Sequence, residues 1–276
     1  MIIQAGAVKI LAKDVVSIAK TAGDAIMAIY SFPDTVSWDV KAKSDDSPLT
    51  AADLAANNLI CVSLKEKYPS IPIVSEENKL LPYDERSQWP YYWCIDPLDG
   101  TKEFLKRNGQ FTVNIGLCQG NSPIFGVVHV PAMEPSKTYF GAKGQGAFVE
   151  VAGGESIPIQ CKEFSETDSG LAIVASASHN TPETEAFISK YEEPTLKALG
   201  SSLKLLMVAE GEAHVYPRLA PTCEWDTCAS HAIVEAAGGE VLQAEGGKAC
   251  TPGVPVAYNK PEALNPFFIV YGKRRK

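Results

Sequence analysis

The stretch Trp93-Cys94-Ile95-Asp96-Pro97-Leu98-Asp99-Gly100-Thr101 runs an apolar strand into two carboxylates three residues apart, then into a glycine and a hydroxyl. Pro97 has no amide hydrogen and bends the chain, so Asp96 and Asp99 are expected to face one space rather than opposite sides of a strand. Two like charges held together require a cation. Oxygen donors of this kind favour magnesium or manganese, whereas zinc prefers His and Cys. Gly100 leaves room for an anion to approach the backbone, and the amides of a helix start after it can hold the anion's oxygens. Taken alone, Asp-Pro-x-Asp-Gly is equally the composition of a surface turn. Two further positions shift the balance toward a site. Glu76, in Ser75-Glu76-Glu77, follows the preceding strand and can reach the same cleft. Asp226 stands beside Trp225 in apolar surroundings, where an unpaired charge is costly and a metal ion would remove the cost.

These groups need elements to carry them. Leu11, Val15, Ile18, Ala22, Ile26 and Ile29 recur at three- and four-residue intervals and predict a helix over 10–30. A second helix is expected over 50–68, capped by Thr50, with Leu54, Cys61, Leu64 and Tyr68 on one face, ending before Pro69. Strands follow at 71–75, 91–96, 111–118, 124–130 and 137–141, mostly antiparallel, with turns at Gly120-Asn121, 131–135 and 141–147. The composition changes over 153–167, which suggests two lobes, 1–155 and 156–276, sharing a cleft. Beyond it, strands at 171–176 and 213–216 alternate with helices at 182–191, 201–209 and 226–237, the last stopped by Gly238-Gly239. Asp226 then begins a helix.

Composition narrows the function classes. With 45% hydrophobic and 21% charged residues among 276, this is an ordinary globular chain. Its longest apolar runs fall far short of the roughly 20 residues of a membrane helix, and 1–11 lacks the basic-then-apolar layout of a secretory signal. A cytoplasmic protein is expected. Seven cysteines (61, 94, 118, 161, 223, 228 and 250) show neither CxxC pairing nor zinc spacing and read as buried thiols in a reducing compartment. Cys223 and Cys228 flank Asp226, but neither has a nearby His to act as its base. A net charge of −8, with one basic cluster at 273–276, argues against nucleic acid as a partner. An acidic protein can accept an anionic small molecule only if divalent cations reverse the local field. No oligomeric state is specified by the sequence.

Ser75-Glu76-Glu77, Asp96 to Thr101 and Trp225-Asp226 together resemble the signature of the lithium-sensitive, magnesium-dependent phosphomonoesterases of the inositol monophosphatase superfamily. Within it, residues 43–53, 99–104 and 200–204, Tyr216-Pro217-Arg218, Pro221-Thr222 and Trp225-Asp226-Thr227 are similar to 3′(2′),5′-bisphosphate nucleotidases of the CysQ type. The resemblance implies a layered α/β/α/β/α sandwich of the sugar-phosphatase type and a small phosphorylated substrate. It implies that Glu76, Asp96 and the Leu98 carbonyl hold one Mg²⁺, that Asp96, Asp99 and Asp226 hold a second, and that a third, weaker ion rests on Glu76. Thr101, hydrogen-bonded to Asp53, would take the proton of the attacking water. A capping carboxylate is the plainer reading of Asp53.

Substrate contacts implied by the same resemblance are Gly100, Thr101, Ser178 or His179, Ser201, Lys204, Arg218 and Asp226, with Lys204 and Arg218 suited to the phosphate that is not cleaved. Read singly, Ser201 is a plausible N-cap, Lys204 a helix-surface cation and His179 a loop histidine. Ala177 stands where the family commonly has arginine. The expected reaction is hydrolysis of adenosine 3′,5′-bisphosphate to AMP and phosphate, with the sulfated nucleotide that donates sulfate as a second substrate, in sulfur metabolism. An inositol phosphatase shares the metal site. Lys102-Glu103-Phe104, with Lys204 and Arg218, tilts the expectation to nucleotide. A non-catalytic metal-binding regulator would have lost a ligand, and none of Asp53, Glu76, Asp96, Asp99, Thr101 and Asp226 is missing.

Overall fold

The computed structural model describes residues 1–32, 40–42, 48–176, 181–246 and 251–275. Among them, a short hairpin of β1 (Ile2–Ala5) and β2 (Val8–Leu11) leads into α1 (Ala12–Tyr30). The apolar spacing of α1 buries Val15, Ile18, Ala22 and Ile26. A second small hairpin, β3 (Lys41–Ala42) and β4 (Pro48–Leu49), precedes α2 (Ala51–Lys67). Thr50 caps α2 as expected, and Cys61, Leu64 and Tyr68 are buried. Leu54 is 44% exposed, which corrects the expectation that it shares their face. It lies one position past Asp53, and it is Asp53 that turns inward.

A seven-stranded sheet follows, interrupted by two short helices. Its strands are β5 (Ile73–Ser75), β6 (Tyr91–Asp99), β7 (Thr112–Gln119), β8 (Ser122–Val130), β9 (Lys137–Ala142), β10 (Gly146–Val151) and β11 (Ser156–Ile159). The helix α3 (Tyr83–Arg86) precedes β6, and α4 (Thr101–Leu105) follows it. Only β5 pairs in parallel, because the chain crosses over through α3 instead of a tight turn; the other pairs are antiparallel. After β12 (Glu163–Phe164) come β13 (Ala172–Ser176), α5 (Pro182–Ile188), β14 (Thr195–Leu199), α6 (Leu203–Ala209), β15 (Val215–Arg218), α7 (Glu224–Ala236), β16 (Glu240–Gln243), β17 (Phe268–Tyr271) and β18 (Lys273–Arg274). A second sheet is ordered β14-β13-β15-β17-β16, and β12 pairs with β18.

The layers are α1 with α2, the seven-stranded sheet, α6 with α7, the five-stranded sheet, and α5. Alternation along β13 makes the outer boundary visible: Val174 packs with α6 and α7, while Ile173 and Ala175 pack with Ile188 of α5. This is the α/β sandwich expected from the resemblance. What seats the middle layer is a row of glycines. Gly116, Gly126 and Gly141 are register partners across β7, β8 and β9, and a Cβ on Gly126 would stand 2.0 Å from the Ala229 carbonyl oxygen of α7. Helix and sheet therefore meet backbone to backbone. Gly141, expected in the turn over 141–147, lies within β9; the turn itself is 143–145.

Candidate active site

The end of β6 carries the site. Asp96 pairs with Asn114, and Asp99 with Thr112, so three residue steps on β6 match two on β7. That bulge at Pro97-Leu98 cancels the alternation that would send Asp96 and Asp99 to opposite faces. Leu98 N–H donates to Asp96 Oδ1 at 3.1 Å, and its carbonyl accepts from Thr101 Oγ1 at 3.4 Å. Gly100 turns the chain at φ 96°; a side chain there would meet the Gln110 carbonyl oxygen at 2.9 Å.

Asp53 joins from α2 and is almost wholly buried. Its Oδ2 accepts from Thr50 N at 2.8 Å and Thr50 Oγ1 at 2.5 Å, and its Oδ1 accepts from Thr101 Oγ1 at 3.3 Å. The capping role and the active-site role thus use different oxygens of one carboxylate. Glu76 continues from β5, its N–H bonded to the Ile95 carbonyl at 3.1 Å. The turn that carries it is held to α2 by Ser75 Oγ donating to Asn57 Oδ1 at 2.7 Å. Asp96 is 2% exposed, and burial together with Glu76, Asp99 and Asp226 pushes its acid well above the usual carboxylate range. The remote Asp226, at the third position of α7, accepts from Cys223 N–H at 2.9 Å. It is raised to about 8 by burial and Asp99, with Glu76 adding; Cys223 N–H and Arg218 oppose the shift. The helix begins two residues earlier than expected, so Asp226 sits inside its first turn.

Asp99 anchors the far wall. Its Oδ2 accepts from Ser201 Oγ at 2.7 Å, Ser202 N at 2.6 Å and Ser202 Oγ at 2.8 Å, with Asn114 Nδ2 at 3.4 Å. Ser202 Oγ also lies 2.8 Å from the Asp226 carbonyl, tying the β6 turn to α7. Ser201 is the opposite of an N-cap: it is held at φ 53° by its bonds to Asp99 and Thr112. Lys204 is 7% exposed, not a surface cation; Nζ donates to the Ser201 carbonyl at 2.9 Å and lies 5.8 Å from the Tyr216 ring centre. Burial brings it down to about 8, against the pull of Asp99 and Glu103. Arg218 donates to the Pro221 carbonyl, while its buried Nε has no partner among the described residues.

Asp99, Gly100, Ser201, Lys204, Arg218 and Asp226 line one cavity of about 160 Å³. Glu76, Asp96, Asp53 and Thr101 are not part of its lining; Asp96 is in electrostatic reach of Asp99 and Asp226, and Thr101 bonds Asp53. Ser178 and His179 lie outside the described residues, as does Ala177. Sequence reasoning missed Asn114, Ser202 and Gln110, whose Oε1 accepts from Gly200 N–H at 2.8 Å. Asn114 was the findable one: it is a lone amide in an otherwise apolar strand, and such a residue needs a buried partner.

Do these residues suit a divalent cation? Among the described residues no three His, Cys, Asp or Glu side chains close around one point. The donor chemistry nevertheless fits. Asp96 is buried among three other carboxylates, and a hard cation is what would offset that repulsion.

A family model, the inositol monophosphatase family, matches residues 9–269. The chain belongs to this family. The 3′(2′),5′-bisphosphate nucleotidase CysQ of Escherichia coli (strain K12) is 42% identical over 257 residues, covering 93% of this chain and 97% of that one. A crystal structure of CysQ from Bacteroides thetaiotaomicron matches with TM-score 0.79 at 41% identity, covering 95% and 97% of the two chains. An inositol monophosphatase from Thermotoga maritima, 23% identical, shares the fold at TM-score 0.70 over 93% and 89%. Magnesium dependence is general for the inositol monophosphatase family. No helix among the described residues is long and apolar enough to cross a membrane.

Proposed function

We propose that this chain hydrolyses adenosine 3′,5′-bisphosphate to AMP and phosphate, and serves sulfur metabolism with the sulfated nucleotide as a second substrate. The observation that carries the reading is the buried Asp96 within electrostatic reach of Glu76, Asp99 and Asp226, the last two of which line one cavity with the basic Lys204 and Arg218. The likeness to CysQ nucleotidases over nearly the whole chain supports the same choice.

In this reading Glu76, Asp96 and the Leu98 carbonyl would hold one Mg²⁺, Asp96, Asp99 and Asp226 a second, and Glu76 a third, weaker ion. Bound there, the ions supply neutralisation of the phosphate's charge and a water of lowered pKa. The chain's own residues do the rest. Thr101 Oγ1 takes the proton of the attacking water as its own proton moves along the hydrogen bond to Asp53 Oδ1. Attack runs in line with the leaving ribose oxygen and needs no covalent enzyme intermediate. Gly100 and Thr101 border the cleaved phosphate, and Ser201 with Asp226 its sugar side. Lys204 and Arg218 take the other phosphate, and the unpartnered Arg218 Nε supports an anion there. Ser178 or His179 is a further proposed contact.

The cavity walls come from both 1–155 and 156–276, which supports reading these as two lobes that share the α6–α7 layer. Cysteines without disulfide or zinc spacing support the cytoplasm. The deciding experiment is phosphate release by purified protein with Mg²⁺, comparing adenosine 3′,5′-bisphosphate, inositol monophosphate and inositol 1,4-bisphosphate. Fastest turnover of the nucleotide is expected, with loss on chelation; faster turnover of an inositol phosphate overturns the choice.

A further inference from the structure

Glu103 is an acidic side chain on the wall of a cavity meant for an anion. Of Lys102, Glu103 and Phe104, it alone faces that cavity: Lys102 is exposed and Phe104 is fully buried in the core. Its carboxyl group lies over Gly200, where an added Cβ would meet Glu103 Cγ at 2.8 Å and Cδ at 3.2 Å. Gly200 is pinned by Gln110 and followed by Ser201, the residue bonded to Asp99. Glu103 is thus placed at the reacting end of the cavity. No hydrogen bond or ion pair occupies its carboxylate among the described residues, and its influence on Lys204 is at longer range. A free carboxylate beside a phosphate site works against binding unless the substrate brings a donor to it.

Resting on the nucleotide reading above, we infer that Glu103 is a specificity-determining residue that accepts a hydrogen bond from the ribose hydroxyl adjacent to the cleaved phosphate. The cavity, at about 160 Å³, suits a sugar and not a whole nucleoside, so the base lies beyond Glu103's reach. A phosphate-bearing sugar carbon with a hydroxyl neighbour is the donor that fits.

The test compares kcat/KM on adenosine 3′,5′-bisphosphate and on its 2′-deoxy analogue, for the wild type, Glu103→Ala and Glu103→Gln, with inositol monophosphate as a third substrate. The wild type is expected to favour the hydroxylated nucleotide by about tenfold to a hundredfold, the range for a hydrogen bond to a charged group. Glu103→Ala brings that ratio close to one, and Glu103→Gln lies between. Turnover of the deoxy analogue reports that each variant is folded. An equal loss on both nucleotides would mean that Glu103 acts only through the charge of Lys204, and would overturn the inference. So would a wild type that does not discriminate. Preference of the wild type for inositol monophosphate is a separate result: it overturns the nucleotide reading and this inference with it.

Discussion

Gly126→Ala is the sharpest test of how Asp226 is placed. The new methyl would stand 2.0 Å from the Ala229 carbonyl oxygen, 2.7 Å from its carbonyl carbon and 2.8 Å from its Cα. Ordinary contact needs about 3.5 Å, so α7 must retreat by roughly 1.5 Å or the strand must yield. Neither is easy, because β8 lies between β7 and β9 in the sheet and α7 is packed between the two sheets. Overpacking of this kind costs about 1–3 kcal/mol, or several degrees in melting temperature. The larger effect falls on turnover. Asp226 lies three residues before Ala229 on the same helix, while Asp96 and Asp99 belong to β6. A misplacement of about 1 Å can cost on the order of a hundredfold. Phosphate release with Mg²⁺ and a thermal melt of the same preparation check both effects. Gly144→Ala is the control: it lies in an open turn with nothing within 4 Å, and it should lose some stability but little kcat. A Gly126→Ala enzyme with wild-type kcat would refute the idea that the glycine row sets the position of Asp226.

Three further outcomes follow from the same geometry. Asp96→Asn should abolish turnover, yet raise the melting temperature in metal-free buffer by relieving repulsion at a buried site; the wild type should gain stability on adding Mg²⁺ and the variant should not. His129 is 5% exposed and burial lowers it to about 4 from an ordinary 6.5. The unfolded chain therefore takes up the proton first, and stability is lost as pH falls from about 6.5 toward 4, by roughly 3 kcal/mol in all. Denaturant melts across that range check it, and His129→Gln should flatten the dependence. Lys204, brought down to about 8 by burial, carries its charge below that pH. The KM for a bisphosphate should rise as pH climbs through 8, and Lys204→Met should show a raised KM that no longer varies there.

Much of the site was legible because its residue types are costly to place without a reason. Two carboxylates around Pro97, and a third beside Trp225, mark a candidate site from the sequence alone. Helices α1 and α2 and the antiparallel run from β6 to β9 followed from periodicity. What stayed hidden depends on tertiary contact. Gly116 and Gly126 look like weak points in strands until α7 is laid across them. Ser201 looks like a helix cap until Asp99 and Thr112 hold it at positive φ. Strands β14, β16 and β17 are short, and two of their partners are distant in sequence, so no local turn signal marks them. Leu54 was misassigned because a carboxylate, Asp53, claimed the buried face one position earlier.

Asp53 and Asp226 show why a plain structural reading and a functional one need not compete. Each is the third residue of a helix, and each uses one oxygen to accept the backbone N–H of its cap residue, Thr50 at 2.8 Å and Cys223 at 2.9 Å. That bond fixes the carboxylate's rotamer and satisfies a donor the helix would otherwise leave orphaned. The second oxygen is then free of the helix: in Asp53 it accepts from Thr101, and in Asp226 the carboxylate borders the cavity shared with Asp99. A helix start is also where negative charge is best tolerated, because the macrodipole offsets part of it. Two acidic groups can therefore be brought to one cleft of an already acidic protein, each stabilised by its own helix before any cation is bound. If the caps do this, Thr50→Val, which removes the hydroxyl that bonds Asp53 Oδ2 but leaves the backbone N–H, should lower kcat more than KM. A Thr50→Val enzyme with unchanged kcat and only a lower melting temperature would reduce that hydroxyl to a helix cap alone.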